Sequence, residues 1–346
     1  MTLNFNQIKL ILKDQSPKKN FFKIASEIIA LSFQKQEPAL YYGGKYLYRK
    51  DIGNVRDYLS QGEFYALSFS KKLHNFETSS LLRNKLSFAL FCETNNLNVP
   101  KVISYNLGTS FLFDGKRYPA STDQEINSFF ELVFERSGKE KLFLKEIGSQ
   151  GGKGCYLIDK STYSKKLSEL QLSKKSFIHQ EFIQQHPAIN EIYPSSINTI
   201  RFITHLDGAG EPHIISAFMR FGRGGKVMDN AKSGGMYVAI NMETGKLNEK
   251  ANQSMGAGGG VFTKHPDTGH IFKDFSIPFF KEACAMALEM VLFIPDRFTG
   301  WDIAITPTGP TVIEGNENPG MQTADIAYGG LLKHPLVKSI MKEIKD

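Results

Sequence analysis

Residues 301–320 read WDIAITPTGPTVIEGNENPG, two β-type runs on either side of PTGP. Joined as antiparallel strands through a three-residue loop Pro307–Thr308–Gly309, they set Thr306 opposite Pro310 and Asp302 opposite Glu314. Side chains so opposed have Cβ atoms about 4.5–5.5 Å apart. Asn316, two residues beyond Glu314, shares that face, while Ile303, Ile305, Val312 and Ile313 are expected to turn towards a core. Two like charges held together are destabilising unless something neutralises them. A divalent cation with phosphate co-ligands does so with one or two carboxylates and an amide oxygen. The competing reading is a solvated outer face with the register slipped by one residue. The Asp, Glu and Asn together, with NENPG turning the chain at once, favour the magnesium–phosphate site.

Composition limits the alternatives. A hydrophobic fraction of 41% and a charged fraction of 22% over 346 residues belong to a folded protein with two or three subdomains, not a disordered one. The net charge of +7 suits anionic ligands. The lysines are scattered rather than clustered, so nucleic-acid binding is not expected. No apolar run approaches the roughly 20 residues of a membrane span; the longest, ACAMALEMVLFI, contains Glu289. The stretch MTLNFNQIKLILKDQSPKKN lacks the pattern of a signal peptide. Cys92, Cys155 and Cys284 have no paired spacing and read as reduced thiols, so a cytoplasmic location is expected.

Along the chain, residues 1–75 are expected to be a helical N-terminal region of unknown role, with FFKIASEIIALSF its clearest helix. Residues 76–125 form a small α/β subdomain: one helix over SSLLRNKLSFALFCETNN, then a short strand after NVP. Residues 126–190 alternate helix (INSFFELVFERSG), strand (KLFLKEI), glycine loop, strand (CYLI), helix and strand (SFIHQEFI). Residues 191–346 are richer in strands: SINTIRFITHL, EPHIISAFMRFG, GGMYVAINMETGKL and HIFKDF, then the helix PFFKEACAMALEMVLFI and the hairpin. An α/β front half thus meets a sheet-rich back half, with ligand chemistry expected in the cleft between them.

A metal–phosphate site needs a phosphate cradle, and KEIGSQGGKG at 145–154 supplies one. Its glycines let backbone N–H groups approach an anion. Lys153 adds charge in the loop, and Lys145 ends the strand entering it. The plain alternative is a flexible turn. The loop joins two strands, so neither the P-loop nor the Rossmann fingerprint applies. Thirty residues on, FIHQEFI can offer backbone groups to an adenine edge. Arg201 and Arg220 sit in apolar strands and need anionic partners, either a structural carboxylate or a substrate. The histidines stand singly and read as structural.

Five stretches in this order resemble the ATP-grasp superfamily: NKLSFALFCETNNLNVP, FLKEIGSQGGKG, HQEFI, NTIRFITHL with MRFGRG and DNAKSGG, and GWDIAITPTGPTVIEGNENPGMQT. The last is similar to the metal-binding hairpin of the D-alanine–D-alanine ligases. The combination QQHP, NTIRF, DNAKSGG and KHPDTG most resembles the sugar-transfer-associated ATP-grasp family, over roughly residues 80 to 330. The resemblance implies two α+β subdomains clasping ATP. Lys85 and Lys145 would contact its phosphates, and a flap from Ser149 through Gly151, Gly152, Lys153 and Gly154 would close over them. Glu181 and Ile183 would hold adenine through their backbones, with Phe182 lining the pocket. His186, Glu191 and Asn198 compete for the ribose. Asp302, Glu314 and Asn316 would hold two Mg²⁺ ions, with Mn²⁺ able to substitute. Arg201 and Arg220 would serve catalysis and Lys232 would assist at the phosphates. Asn318, Gly320, Met321 and Gln322 would meet substrate.

The chemistry implied is ligation of a carboxylate to an amine or related nucleophile through an acyl phosphate. Its context would be cell-surface polysaccharide or small-metabolite modification, with sugar-linked substrates. The alternative outcome is a kinase that passes the γ-phosphate to a hydroxyl.

Overall fold

Stretches rich in aromatic and β-branched residues become two antiparallel sheets, both packed against helices. The computed structural model describes residues 5–149, 151, 154–230 and 234–345. The chain begins with α1 (Phe5–Lys13), α2 (Phe21–Lys35), α3 (Tyr41–Gly44) and α4 (Gln61–Phe69). Two helices, α5 (Phe76–Arg83) and α6 (Lys85–Thr94), stand where one was expected. Asn84 separates them: it ends α5, and its side chain accepts from the Ser87 N–H at 3.0 Å to cap α6.

The first sheet has the order β3-β2-β1-β6-β4-β5. Its strands are β1 (Val102–Leu107), β2 (Ser110–Phe113), β3 (Lys116–Pro119), β4 (Lys141–Glu146), β5 (Cys155–Asp159) and β6 (Ser176–Glu181). Because β1 pairs with β6, the boundary expected at residue 125 falls within one sheet. The β2–β3 hairpin was not anticipated, although Asp114–Gly115 is a strong turn signal; both residues have positive φ, 52° and 70°. Helices α7 (Asp123–Ser137) and α8 (Tyr163–Leu170) cover one face, burying Phe129, Phe130 and Val133 against Leu142, Leu144, Ile158 and Phe177. The pleat sends Lys141, Phe143 and Lys145, with their cross-strand neighbours Leu157, Cys155, Ile178 and Gln180, to the other face.

After α9 (Pro187–Ile192), the second sheet has the order β11-β10-β9-β8-β7-β12-β13. It comprises β7 (Thr199–Leu206), β8 (Pro212–Phe221), β9 (Met236–Asn241), β10 (Lys246–Gln253), β11 (Val261–Phe262), β12 (Phe298–Thr306) and β13 (Gly309–Asn316). GGMYVAINMETGKL spans the turn from β9 into β10, because the Asn241 side chain accepts from Glu243 and Thr244 N–H and Gly245 takes φ 68°. HIFKDF is not a strand. Its Phe272 is core, but the backbone around it turns, with Phe275 N–H donating to Phe272 carbonyl at 3.1 Å. Helix α10 (Phe280–Phe293) packs on one face of the sheet, over Ile200, Phe202, Met219, Val238, Ile303 and Val312.

The opposite face is divided. At one end α11 (Met321–Ala327), α12 (Pro335–Glu343) and α4 cover Ile203, Ile215, Phe218, Tyr237 and Phe298. The other end carries polar side chains and faces the first sheet. The N-terminal helices belong to this lobe: Tyr46 Oη donates to Gln253 carbonyl at 2.7 Å, and Arg49 to Gly259 carbonyl at 2.6 Å. Lys45 and Asp325 form a fully buried ion pair, with Asp325 also accepting from the N–H groups of Leu59 and Leu331. Burial pushes the Lys45 ammonium down and the Asp325 carboxyl up, and each offsets the other.

A buried charge stripped of its partner costs about 3–5 kcal/mol. Lys45→Met should lose that much stability in urea unfolding. Lys45→Met with Asp325→Leu should recover most of it.

Candidate functional site

The hairpin reaches the expected pairing by an unexpected route. The loop has two residues, with Thr306 opposite Gly309, and a one-residue bulge follows between Val312 and Glu314. The shorter turn and the bulge cancel, so Asp302 still faces Glu314. Asn316 faces Gly300, where a Cβ would stand 2.8 Å from Pro319 Cα and 3.2 Å from Arg201 Cδ. Only glycine lets the Pro-Gly turn fold back there beneath Arg201.

Strand register also explains the charges. Arg201 on β7 lies directly opposite Asp302, and Arg220 on β8 points to the same face. Arg201 Nε donates to Asp302 Oδ1, and its Nη2 reaches Oδ2 at 3.0 Å. Arg220 Nη2 also reaches Asp302 Oδ2, at 2.9 Å, while its Nε lies 3.3 Å from Asp229 Oδ2. Burial raises the Asp302 carboxyl, but the two guanidinium groups outweigh it and hold the group below the ordinary range. Asp229 goes the other way: burial and nearby Asp302 raise it, offset in part by Arg220 and by hydrogen bonds from Thr199. Arg201 Nη1 donates to Pro319 carbonyl at 2.9 Å, so it also fixes the turn after the hairpin.

A carboxylate has about four lone-pair sites, and the arginines use three of those on Asp302. One remains on Oδ1. Glu314 is half-buried and 3.8 Å from Lys85 Nζ. The Asn316 Nδ2 is buried with no partner among the described residues. The free Oδ1 site of Asp302 and the carboxylate of Glu314 are thus paired across the hairpin, oxygen donors suited to a hard cation, whereas the unpartnered atom of Asn316 is an N–H donor.

The first sheet forms the facing wall. Lys145 is buried and makes no ion pair among the described residues; burial lowers its pKa, with Cys155 and Glu314 opposing. Lys85, at the head of α6, donates to the Ser149 carbonyl and so joins the glycine loop to the hairpin. Gly151 and Gly154 both have φ 69°; a Cβ on Gly154 would lie 2.7 Å from Glu146, and one on Gly151 3.1 Å from Asn230 of the other lobe. Gly152, Lys153 and Lys232 lie outside the described residues. Between the walls is a small cavity of about 10 Å³, room for roughly one water, bounded by Lys85, Lys145, Gln180 and Glu314, with Leu82, Phe88, Ala89, Val99 and Ile313 as its apolar sides.

Other expected residues sit differently. The Glu181 N–H donates to Lys101 carbonyl at 2.9 Å, and its carboxylate binds the Lys101 N–H and Lys139 Nζ. Its backbone donor is therefore taken by Lys101, and β6 ends at Glu181, two residues short of the expected strand. Phe182 is exposed, its ring over Lys141 Nζ, and Ile183 follows it. The His186 ring accepts from the Ala188 N–H at 3.1 Å, capping α9, and the His186 backbone N–H donates to Ile305 carbonyl at 2.8 Å. It is occupied as a cap, as Asn198 is by Gln185, Tyr193 and Ser196. Met321 is fully buried in the core under α11, so it is not presented to a substrate. Asn318 is exposed, and Gly320 and Gln322 are half-buried beside the Arg201 turn. Sequence reasoning missed Asp229, Thr199 and Gln180. Asp229 lies in the irregular run KVMDNAKSGG, where only tertiary pairing with Arg220 marks it out.

The arginine contacts separate the two carboxylates experimentally. Asp302→Asn should cost about 3–5 kcal/mol in denaturant unfolding without ligand, since buried Arg201 loses its counter-charge and Arg220 keeps only Asp229. Glu314→Gln should stay within about 0.5 kcal/mol of the parent.

The family model described as sugar-transfer associated ATP-grasp matches residues 65–342. No curated protein matches the chain. Similar solved structures include D-alanyl-alanine synthetase A from Vibrio cholerae, at 12% identity and TM-score 0.47, covering 79% of this chain and 67% of that one. The D-alanine-D-alanine ligase from Coxiella burnetii gives 12%, TM-score 0.43 and coverages of 79% and 61%. The ATP-grasp ligase PsnB, complexed with a minimal precursor, Mg and ADP, gives 12%, 0.43, 79% and 62%. The chain thus spans about two thirds or less of the length of these structures.

Proposed function

As the chain belongs to the sugar-transfer associated ATP-grasp family, we propose that it is an ATP- and magnesium-dependent ligase joining a carboxylate to an amine or related nucleophile. The observation that carries this reading is the pairing of Asp302 with Glu314 in register, beside the unpartnered Asn316 amide and across from the buried Lys145. In this reading ATP enters between the sheets once the lobes part to widen the roughly 10 Å³ cavity there, its base against Phe182, Ile183 and the apolar sides. Lys85 and Lys145 bind its phosphates, the loop with Ser149, Gly151 and Gly154 covers them, and Gly152, Lys153 and Lys232 are proposed to assist. Asp302, Glu314 and Asn316 would hold magnesium. When bound, the metal neutralises phosphate charge and polarises the transferred group.

The remaining work falls to the chain's own residues, because phosphoryl transfer is mainly positioning and charge stabilisation. A substrate carboxylate oxygen forms a bond to the γ-phosphorus, and the bond to the ADP oxygen breaks. The amine then attacks the acyl carbon, loses a proton, and phosphate leaves. Arg201 and Arg220 are oriented towards this charge, and Asp229 keeps Arg220 in place from behind. Asn318, Gly320 and Gln322 are proposed to meet the acid or the amine. The family's description as sugar-transfer associated motivates a sugar-linked substrate, and we propose polysaccharide or small-metabolite modification as its setting.

Purified protein incubated with ATP, Mg²⁺, hydroxylamine and panels of amino acids and uronic acids should yield a hydroxamate with one class of acid. ADP formation with a hydroxyl acceptor and no hydroxamate would identify a kinase and overturn the ligase reading. Glu314→Gln should lower magnesium-dependent ADP release on the order of 100-fold or more while leaving the protein folded. Undiminished turnover would remove the metal role from the hairpin.

A further inference from the structure

Helix α2 is apolar on two sides. Ile24, Ile28 and Leu31 pack inward against the tyrosine-rich core of the N-terminal layer. Phe22, Ile29 and Phe33 point outward, separated by seven and four residues and therefore on one stripe, with Ser26 and Ala30 between them. Phe21 and Phe22 at the start of the helix are 77% and 83% exposed, and Phe33 at its far end 82%. Ile29, midway, and Leu12 of α1 are exposed as well. Apolar side chains protruding this far along a whole helix mark a contact surface rather than ordinary exposure.

The charges around the stripe say what kind of surface it fits. Residues 5–36 contain six lysines and two carboxylates. Both carboxylates are turned inward. Asp14 is bound by Tyr48 and Arg49, and Glu27 by Lys19, Lys23 and Tyr42. Lys19 is paired with Glu27 and Lys35 with Glu63, and Glu37 just past the helix is part-buried and accepts from the Gly62 N–H, while Lys13 and Lys23 stand in solvent. Phenyl rings projecting from a convex helix do not form a groove for a folded partner. Rings and lysines together suit the boundary between lipid headgroups and acyl chains, where apolar insertion and attraction to anionic lipid add. Each lysine near such a surface strengthens binding by about fivefold at moderate salt.

We propose that the outer face of α2 docks on an anionic lipid surface, holding the protein at a membrane without crossing it. The inference stands on this helix alone and does not require the ligase reading.

The full chain is tested by co-sedimentation with vesicles of phosphatidylcholine alone and of phosphatidylcholine with phosphatidylglycerol. Expected are binding to the anionic vesicles only, release at high salt, and at least about tenfold weaker binding of Phe22→Ser/Phe33→Ser. That variant should keep the parent's Tm, since both rings are already in solvent. Absent binding, equal binding to both vesicles, or an unimpaired double variant overturns the proposal. So does a parent that is dimeric and binds no vesicles while the variant is monomeric, which would make the face a self-interface.

Discussion

Asp302 and the two arginines around it are the charge cluster on which the second lobe is arranged. Sheets bury charge badly, and this one does so on β12, next to the edge strand β13 and a core of isoleucine, valine and tryptophan. The cluster is tolerable because strand register puts Arg201 opposite Asp302 and because Arg220 is shared between Asp302 and Asp229. Removing Asp302 leaves Arg201 without its counter-charge, and removing Arg220 does the same to Asp229. The same interactions reach the loop after the hairpin, where Arg201 holds the Pro319 carbonyl. Under the proposed function, stability and chemistry would draw on the same side chains here. Glu314, which takes little part in the cluster, is the ligand candidate whose role can be separated from folding.

The N-terminal helices are part of that lobe in physical terms. Their tyrosines fill a core shared with Met255, and Lys45 puts a charge into the interior to meet Asp325 on α11. A buried ion pair is weak evidence for stability but strong evidence for a fixed arrangement, since neither partner tolerates solvent-free isolation. This layer closes one half of the sheet face and leaves the other half to the cleft.

Much of this was legible in the sequence, and the failures have physical causes. The metal-type hairpin could be read because pleating ties residue spacing to facing, and the glycine loop because its composition allows close approach to an anion. The pairing of Asp302 with Glu314 was right although the turn was not: sequence spacing does not distinguish a three-residue loop from a two-residue loop with a bulge. Strand β10 is largely polar, and periodicity passed over it; the apolar residues of HIFKDF were spent on core contacts without strand pairing. Helix caps also escaped notice. His186 looked like a free ring, and the backbone donor it satisfies is visible only in three dimensions. Asp229 was missed because nothing local distinguishes an acid in an irregular loop from a solvated one.

The bulge at Ile313 divides the hairpin into two separately phased halves. The outer half is gripped by both chain crossings between the lobes: Asn98 takes the Pro310 carbonyl and receives the Val312 N–H, and His186 binds the Ile305 carbonyl. The inner half carries the acidic pair. Variation around Pro307 and Thr308 is thereby transmitted to the joint between the lobes and can alter how they tilt, while the oxygen cluster keeps its own alignment.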